Sequence, residues 1–171
     1  EIDESIVGEV QKDVDRLQTI ADRFSKIGSE PNLDLLNIVE ETKKPFDYLQ
    51  SRSSKQIDFD FETNADIVNL MLNPTLHSWT IENLVKNAID AIKGKGNVKV
   101  EIRNNENTLQ ILVTDTGKGI PKNQFKKVFE PGFSTKKRGW GLGLSLTQRI
   151  VEKYHKGNIR VLKSEIGKGT T

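Results

Sequence analysis

Residues 74–92, PTLHSWTIENLVKNAIDAI, read as one helix with two unlike faces. Pro74 suits the first helical position, where its missing N–H is one that no helical partner would have satisfied. Ile81, Leu84, Val85, Ala88, Ile89 and Ile92 recur at three- and four-residue spacing and form an apolar stripe that must be buried. Asn83, Asn87 and Asp90 lie on the opposite side. Asparagine costs a few tenths of a kcal/mol against alanine inside a helix, because its amide competes with the backbone for hydrogen bonds. Two asparagines one turn apart therefore read either as a solvated face or as neutral carbonyl oxygens placed for a hard cation.

Upstream of this helix, Ile57, Phe59 and Phe61 alternate with Asp58, Asp60 and Glu62, the period-two pattern of a strand with one wet face. Val68–Met71 reads as a short neighbouring strand. Leu33–Leu49 reads as an amphipathic helix with Leu35, Leu36, Val39 and Phe46 as candidate core positions. Before it, Gly28-Ser29-Glu30-Pro31 joins a C-cap glycine to a proline that forces the preceding residue out of the helical region. From Ile6 to Ile27, Val10, Val14, Leu17, Ala21 and Phe24 repeat at alternating spacings of four and three, the seam of a helix that packs on another helix. The expected organisation is an appended helix over 1–30 and a compact domain over 31–171, within a chain that begins inside a helical pattern and so reads as part of something longer.

Downstream, Gly94-Lys95-Gly96-Asn97 is a turn, and Val98-Val100-Ile102 with Leu109-Ile111-Val113 predict an antiparallel hairpin. Residues 117–143 read as loop around one short helix, followed by a helix over 142–154 and a strand over 158–161. The fold class expected is α+β, a mixed sheet backed by helices.

Composition narrows the function. With 26 basic and 24 acidic residues the net charge is +2, too near neutral for nucleic acid as the main partner. No cysteine is present, which excludes disulfides and thiolate metal sites and agrees with a cytoplasmic setting. No apolar run reaches the roughly 20 residues needed to cross a bilayer, so membrane attachment is expected only through regions outside this chain.

Four more stretches carry chemistry. Residues 113–120, VTDTGKGI, place Asp115 at a strand end ahead of Gly117 and Gly119, which permit a tight turn and close approach of backbone to a ligand; an ordinary turn uses the same residues. Residues 139–144, GWGLGL, run three glycines into a helix start, where unpaired N–H groups and the helix dipole suit phosphate oxygens. The spacing is neither the dinucleotide fingerprint nor the phosphate-loop pattern. Between them, Phe129-Glu130-Pro131-Gly132-Phe133 leads into Ser134-Thr135-Lys136-Lys137-Arg138, which offers hydroxyls and cations on a loop able to close. The chain ends in Gly167-Lys168-Gly169-Thr170-Thr171, glycines that fit a plain hairpin equally well.

In their order and spacing these five pieces resemble the N, G1, F, G2 and G3 boxes of sensor histidine kinases, in the superfamily shared with gyrase, the heat-shock chaperone and the mismatch-repair ATPases. The resemblance covers roughly residues 34 to 171. It implies the Bergerat ATP-binding fold, a two-layer α/β sandwich with ATP beneath a lid between the F and G2 boxes. It further implies that Asn87 coordinates Mg²⁺, with Asn83 where gyrase-like relatives carry a catalytic glutamate. Asp115 would bind the adenine amino group, with Gly117, Gly119 and Ile120 against the base and Thr170 supporting the same edge. Phe129, Thr135, Lys136, Gly139, Gly141, Leu142, Gly143 and Leu144 would complete the nucleotide site, Lys136 as a lid cation that joins Asn83 and Asn87 in catalysis. Implied partners are a response regulator and a second copy, paired through the N-terminal helix in the full-length protein.

Two features depart from the family pattern. Many members carry lysine three residues after the second asparagine, where this chain has Asp90, leaving Lys136 or Arg138 as the phosphate cation. Neither His77 nor His155 has the context of a phosphoacceptor, so both read as structural and the acceptor histidine is expected on a helix outside this chain. The competing readings are an ATP-hydrolysing or serine-kinase relative, which would need Glu82 turned towards the phosphates although it sits about 100° around the helix from Asn83, and a non-catalytic dimer scaffold.

Overall fold

The computed structural model describes residues 31–136 and 139–171, with Gln11 and Val14 both helical ahead of them. Apart from those two residues, the helical seam expected over 6–27 lies outside the described residues. The chain divides into two units, Glu1–Asn32 and Leu33–Thr171. The second unit contains every element named below.

Strand β1 (Asp34–Asn37) leads directly into helix α1 (Ile38–Arg52), followed by β2 (Ile57–Thr63) and β3 (Asn69–Leu72). Helix α2 (Pro74–Ala91) precedes the hairpin β4 (Gly96–Asn105) and β5 (Thr108–Asp115). After two single 3-10 turns, helix α3 (Gly143–Arg149) runs on into a π-turn over Ile150–Tyr154, and the short strands β6 (Ser164–Glu165) and β7 (Gly169–Thr170) close the unit. The main sheet has the order β2-β4-β5-β7-β6, with β2 and β4 parallel and the other pairs antiparallel. A parallel pair needs a long crossover, and β3 with α2 supplies it.

The apolar stripe of α2 goes where the sequence pattern sends it. Ile81, Val85 and Ala88 pack with Phe46 and Leu49 of α1 against Val98 and Val100 of β4. The inward face of β2 covers this core from the side, with the Phe46 ring edge-on to Phe59 at 5.6 Å and tilted against Phe61 at 5.5 Å. Each large side chain buried this way contributes about 1.5–3 kcal/mol of transfer free energy. Asp58, Asp60 and Glu62 stay on the wet face, where Asp60 accepts from the Asn97 amide at 2.7 Å and Glu62 pairs with Lys99. The result is the expected two-layer α+β sandwich, helices on one side of a mixed sheet.

Three expectations need correction. The helix expected over 33–49 begins only at Ile38. Asn37 ends the preceding strand because its side-chain oxygen accepts from both Val39 N–H at 3.2 Å and Val68 N–H at 3.1 Å, capping α1 and tying 34–37 alongside β3. Leu35, placed opposite Met71 in that pair, is 65% exposed and not a core residue, Leu36 is half-buried, and Val39 and Phe46 are buried as expected. For the same reason β3 neighbours β1 in a separate two-stranded sheet and not β2. The loop after Gly117 holds two 3-10 turns, Lys122–Gln124 and Lys127–Phe129, in place of one short helix; Pro121 opens the first, and Pro131, which forces the residue before it out of the helical region, closes the second. Residues 158–161 form no strand: the terminal ladder pairs Leu162 and Lys163 with Thr171, so pairing starts beyond the expected segment.

Candidate functional site

Helix α2 is the spine of the candidate site. Its last carbonyl anchors the first glycine loop, since Lys118 N–H donates to Ala91 O at 2.9 Å. Gly117 passes so close to this helix end that an added Cβ would lie 2.5 Å from the Ala91 backbone. Directly before the loop, Asp115 ends β5 and is 8% exposed. One of its carboxylate oxygens accepts from Gly117 N–H at 2.7 Å. Burial pushes the carboxyl above the usual carboxylate range, opposed by the backbone N–H groups of Gly117 and Thr170.

The end of the chain completes this corner. Thr170 stands opposite Asp115 in the β5–β7 pair, and its hydroxyl lies 2.8 Å from Ser164 Oγ, which also accepts from Ile120 N–H at 2.7 Å. Two glycines are required here. Gly119 has φ +74° and a Cβ would fall 2.2 Å from Glu165 O; Gly169 has φ +112° and a Cβ would fall 1.8 Å from Asp115 O. Left-handed or more extreme positive φ together with backbone contact leaves no side chain admissible at either position. Asp115, Gly117, Gly119, Ile120 and Thr170 are thus brought together around one buried carboxylate.

A second group gathers on the last turn of α2. Lys136 Nζ donates to Asn87 Oδ1 at 3.0 Å and pairs with Asp90 Oδ2 at 2.6 Å. The loop that carries it is folded on itself: Gly132 N–H donates to Gly141 O at 3.0 Å, Lys136 N–H to Ser134 Oγ at 3.1 Å, and Gly139 N–H to Lys136 O at 3.2 Å. Thr135 accepts from Lys118 Nζ at 3.0 Å, a bridge from this loop to the first glycine loop. Gly141, with φ +65°, runs against the backbone of Gly132 and Phe133. Phe129 ends the second 3-10 turn half-buried, and Leu142 and Leu144 are half-buried at the start of α3, where the Leu142 carbonyl accepts from Leu146 N–H at 3.0 Å.

Asn83 does not join Asn87 and Asp90. Its amide donates to Thr147 Oγ1 at 2.8 Å, and Gly143 packs against its side chain, so Asn83 holds α3 to α2. The sequence reading missed Thr147, although it follows Gly143 by one helical turn and shares its face. It missed Ser164 and Lys118 as well; their roles come from contacts 44 and 17 residues away, which no local pattern encodes. Glu82 turns along its own helix, with Lys86 at 3.4 Å and Ser78 at 3.4 Å.

Both histidines serve packing. His77 Nε2 lies 2.8 Å from Thr42 Oγ1 between α1 and α2, and His155 Nε2 accepts from Asn73 N–H at 3.2 Å, just ahead of α2. Burial, and then the charge of His155, push the His77 imidazole down to about 4, while burial lowers His155.

A family model described as histidine kinase-, DNA gyrase B-, and HSP90-like ATPase matches residues 75–171. Sporulation kinase B of Bacillus subtilis (strain 168) is 42% identical over 90 residues, covering 52% of this chain and 21% of that protein. Sensor histidine kinase ZraS of Escherichia coli (strain K12) is 40% identical over 102 residues, covering 60% of this chain and 22% of that protein. The chain therefore spans about a fifth of the length of these curated relatives. Among solved structures, the catalytic domain of histidine kinase ThkA is 29% identical with a TM-score of 0.73, covering 81% of this chain and 90% of that one. A structure of ThkA in complex with response regulator protein TrrA gives a TM-score of 0.77 at 26% identity, covering 96% of this chain and 48% of that one. Among the described residues, no helix is long and apolar enough to cross a membrane.

Proposed function

This chain belongs to the histidine kinase-, DNA gyrase B-, and HSP90-like ATPase family, and from that premise we propose that it is the ATP-binding catalytic domain of a two-component sensor histidine kinase. In this reading residues 31–171 are the catalytic domain and residues 1–30 the second helix of a dimerisation bundle. The γ-phosphoryl group of ATP passes to an imidazole nitrogen on a helix outside this chain: the bond to the β–γ bridging oxygen breaks, a P–N bond forms, and ADP leaves. A response-regulator aspartate then receives it, as the complex of the ThkA relative with TrrA suggests by analogy.

The observation that carries the reading is the buried Asp115 carboxylate, framed by Gly117, Gly119 and Thr170. A carboxylate in such a corner accepts a hydrogen bond from an exocyclic amine such as that of adenine and rejects a base that offers an oxygen there. Ile120 would line the base, Gly139, Gly141, Leu142, Gly143 and Leu144 lie on the glycine run that would cradle the phosphates, and Phe129 and Thr135 lie on the segment between it and the first glycine loop. Phosphoryl transfer asks the protein for position and charge neutralisation: Lys136 would supply the charge and Asn87 the cation ligand, while Asn83 would contribute position, holding α3 and the glycines ahead of it against α2.

The residues fit Mg²⁺. Asn87 Oδ1 is a hard neutral oxygen that already faces the positive charge of Lys136. Among the described residues, no group of three or more His, Cys, Asp or Glu gathers as for an all-protein metal cage. That suits a cation that keeps waters and takes phosphate oxygens as ligands. The metal would supply electrostatic neutralisation of the phosphates. The direction taken by Glu82, towards Lys86, speaks against water activation and hence against a hydrolase.

The test is Mg²⁺-dependent ATP binding by calorimetry on this chain and on Asp115→Asn, followed by addition of a fragment that carries an acceptor histidine helix. Binding lost in the variant, and acid-labile phosphate on the added fragment, are the expected results. No nucleotide binding by the parent chain would remove the proposal and leave the scaffold reading.

A further inference from the structure

Asp90 is the one residue of the α2 site face that the proposed chemistry leaves unused, and it makes the shortest contact there, 2.6 Å to Lys136 Nζ. The same ammonium donates to Asn87 Oδ1 at 3.0 Å. An ammonium has three N–H donors, of which Asn87 and Asp90 take two, so one is left for a phosphate oxygen. Asn87 Oδ1, however, cannot hold a metal cation and an ammonium together, because the two positive charges repel, so Lys136 must leave Asn87 before Asn87 ligates a cation. We propose that Asp90 is a positioning residue that competes with nucleotide phosphate for Lys136, holding its side chain on Asn87 until a phosphate oxygen replaces the Asp90 carboxylate. This inference rests on reading the site as a nucleotide site.

The surroundings support an exchange over a permanent tie. The backbone of Lys136 is held by its own loop, through Ser134 Oγ and Gly139 N–H, whereas its side chain, among the described residues, is held by α2. The loop can therefore keep its fold while the ammonium changes partner. Both side chains of the pair are about half exposed, 46% for Lys136 and 53% for Asp90. Water screens such a pair, so its hold is weak enough to be exchanged. A triphosphate offers several charged oxygens to the same donor, and charge-assisted bonds to them are the stronger kind. Asp90 thus sets a modest threshold for taking Lys136, and a neutral residue at that position would remove it.

The experiment is a double-mutant cycle on the whole 171-residue chain, with dissociation constants for Mg²⁺-ATP from calorimetry and folding checked by circular dichroism. Asp90→Asn and Asp90→Ala are expected to tighten binding about two- to fivefold, the range an exposed ion pair supports. In a Lys136→Met background the same substitutions are expected to change nothing, and Asp90→Glu is expected to keep the parent's affinity. Tightening by the same factor in both backgrounds would mean that Asp90 only repels phosphate, and would overturn the proposal. Weaker binding in Asp90→Asn would also overturn it, because Asp90 would then be holding Lys136 or the cation in the loaded site. A parent chain that binds no ATP would overturn this and the nucleotide-site reading together, whereas intact binding with an additive cycle would remove this inference alone.

Discussion

The two ends of the candidate site are built by different physics. Around Asp115 the contacts run through backbone or through buried and half-buried side chains: the β5–β7 register, the Gly117 N–H, the Ser164–Thr170 hydroxyl pair, and two positive-φ glycines packed onto carbonyl oxygens. Around Lys136, among the described residues, the side-chain ties to the rest of the domain are exposed contacts, Lys136 to Asn87 and Asp90 and Lys118 to Thr135. The first end has one conformation because any change leaves a buried polar group unpaired or two backbones overlapping. The second exchanges partners at small cost because water screens what holds it. A site that must recognise a base and also close over and release phosphates needs both kinds.

The contrast should be most visible on replacing Gly169 with alanine. A Cβ 1.8 Å from Asp115 O at φ +112° has no accommodating shift that keeps the β5–β7 pair. We expect at least about 3 kcal/mol of lost stability from strain and overlap, measured by urea unfolding; a loss below 1 kcal/mol would show that this end is as pliable as the other. The scaffold under it should also respond to pH. Burial lowers the folded His77 value to about 4, below its ordinary 6.5, so the unfolded chain binds the proton more tightly and stability is lost as pH falls from about 7 towards 4. That contribution amounts to roughly 3 kcal/mol at its limit. His77→Gln should flatten the fall in melting temperature between pH 7 and 4.5; an unchanged slope would place the acid sensitivity elsewhere.

Asp115→Asn keeps the shape of the corner and changes its hydrogen-bonding character. The expected loss is about 1.5–3 kcal/mol of ATP binding, the range of a hydrogen bond to a charged group, with little change in melting temperature. Equal losses in binding and stability would mean that the carboxylate is there for the fold. The smallest effect is expected at the other end: Thr135→Ala removes one exposed contact with Lys118 and should shift stability by no more than about 0.5 kcal/mol. A larger effect would contradict the idea that the side-chain contacts tying this loop to the rest of the domain are exchangeable.

Much of this was legible in advance because it is local. The stripe of α2, the alternation in β2 and the β4–β5 hairpin are periodicities of 3.6 and 2 that burial enforces directly. The glycines at 117, 119, 139, 141 and 143 and the acid at 115 were singled out from order and spacing alone, and the tertiary structure draws Asp115, Gly117 and Gly119 together with Thr170 from the far end of the chain. What was misread depended on distant partners. Residues 34–37 have helical periodicity, yet Asn37 is engaged by Val68 N–H, 31 residues on, and the extended pairing with β3 wins.

The sequence by itself determined which residues must be buried, where the chain must turn and which boxes follow one another, since apolar periodicity and glycine act over a few residues. Only the tertiary structure decided which polar groups meet. It sent Asn83 to Thr147 on α3, 64 residues away, and Asn87 and Asp90 to one lysine of the loop. A hydrogen bond depends on ångström-scale placement that chain order does not encode, so neighbours on one helix face could be given different work only once the other elements had packed around them.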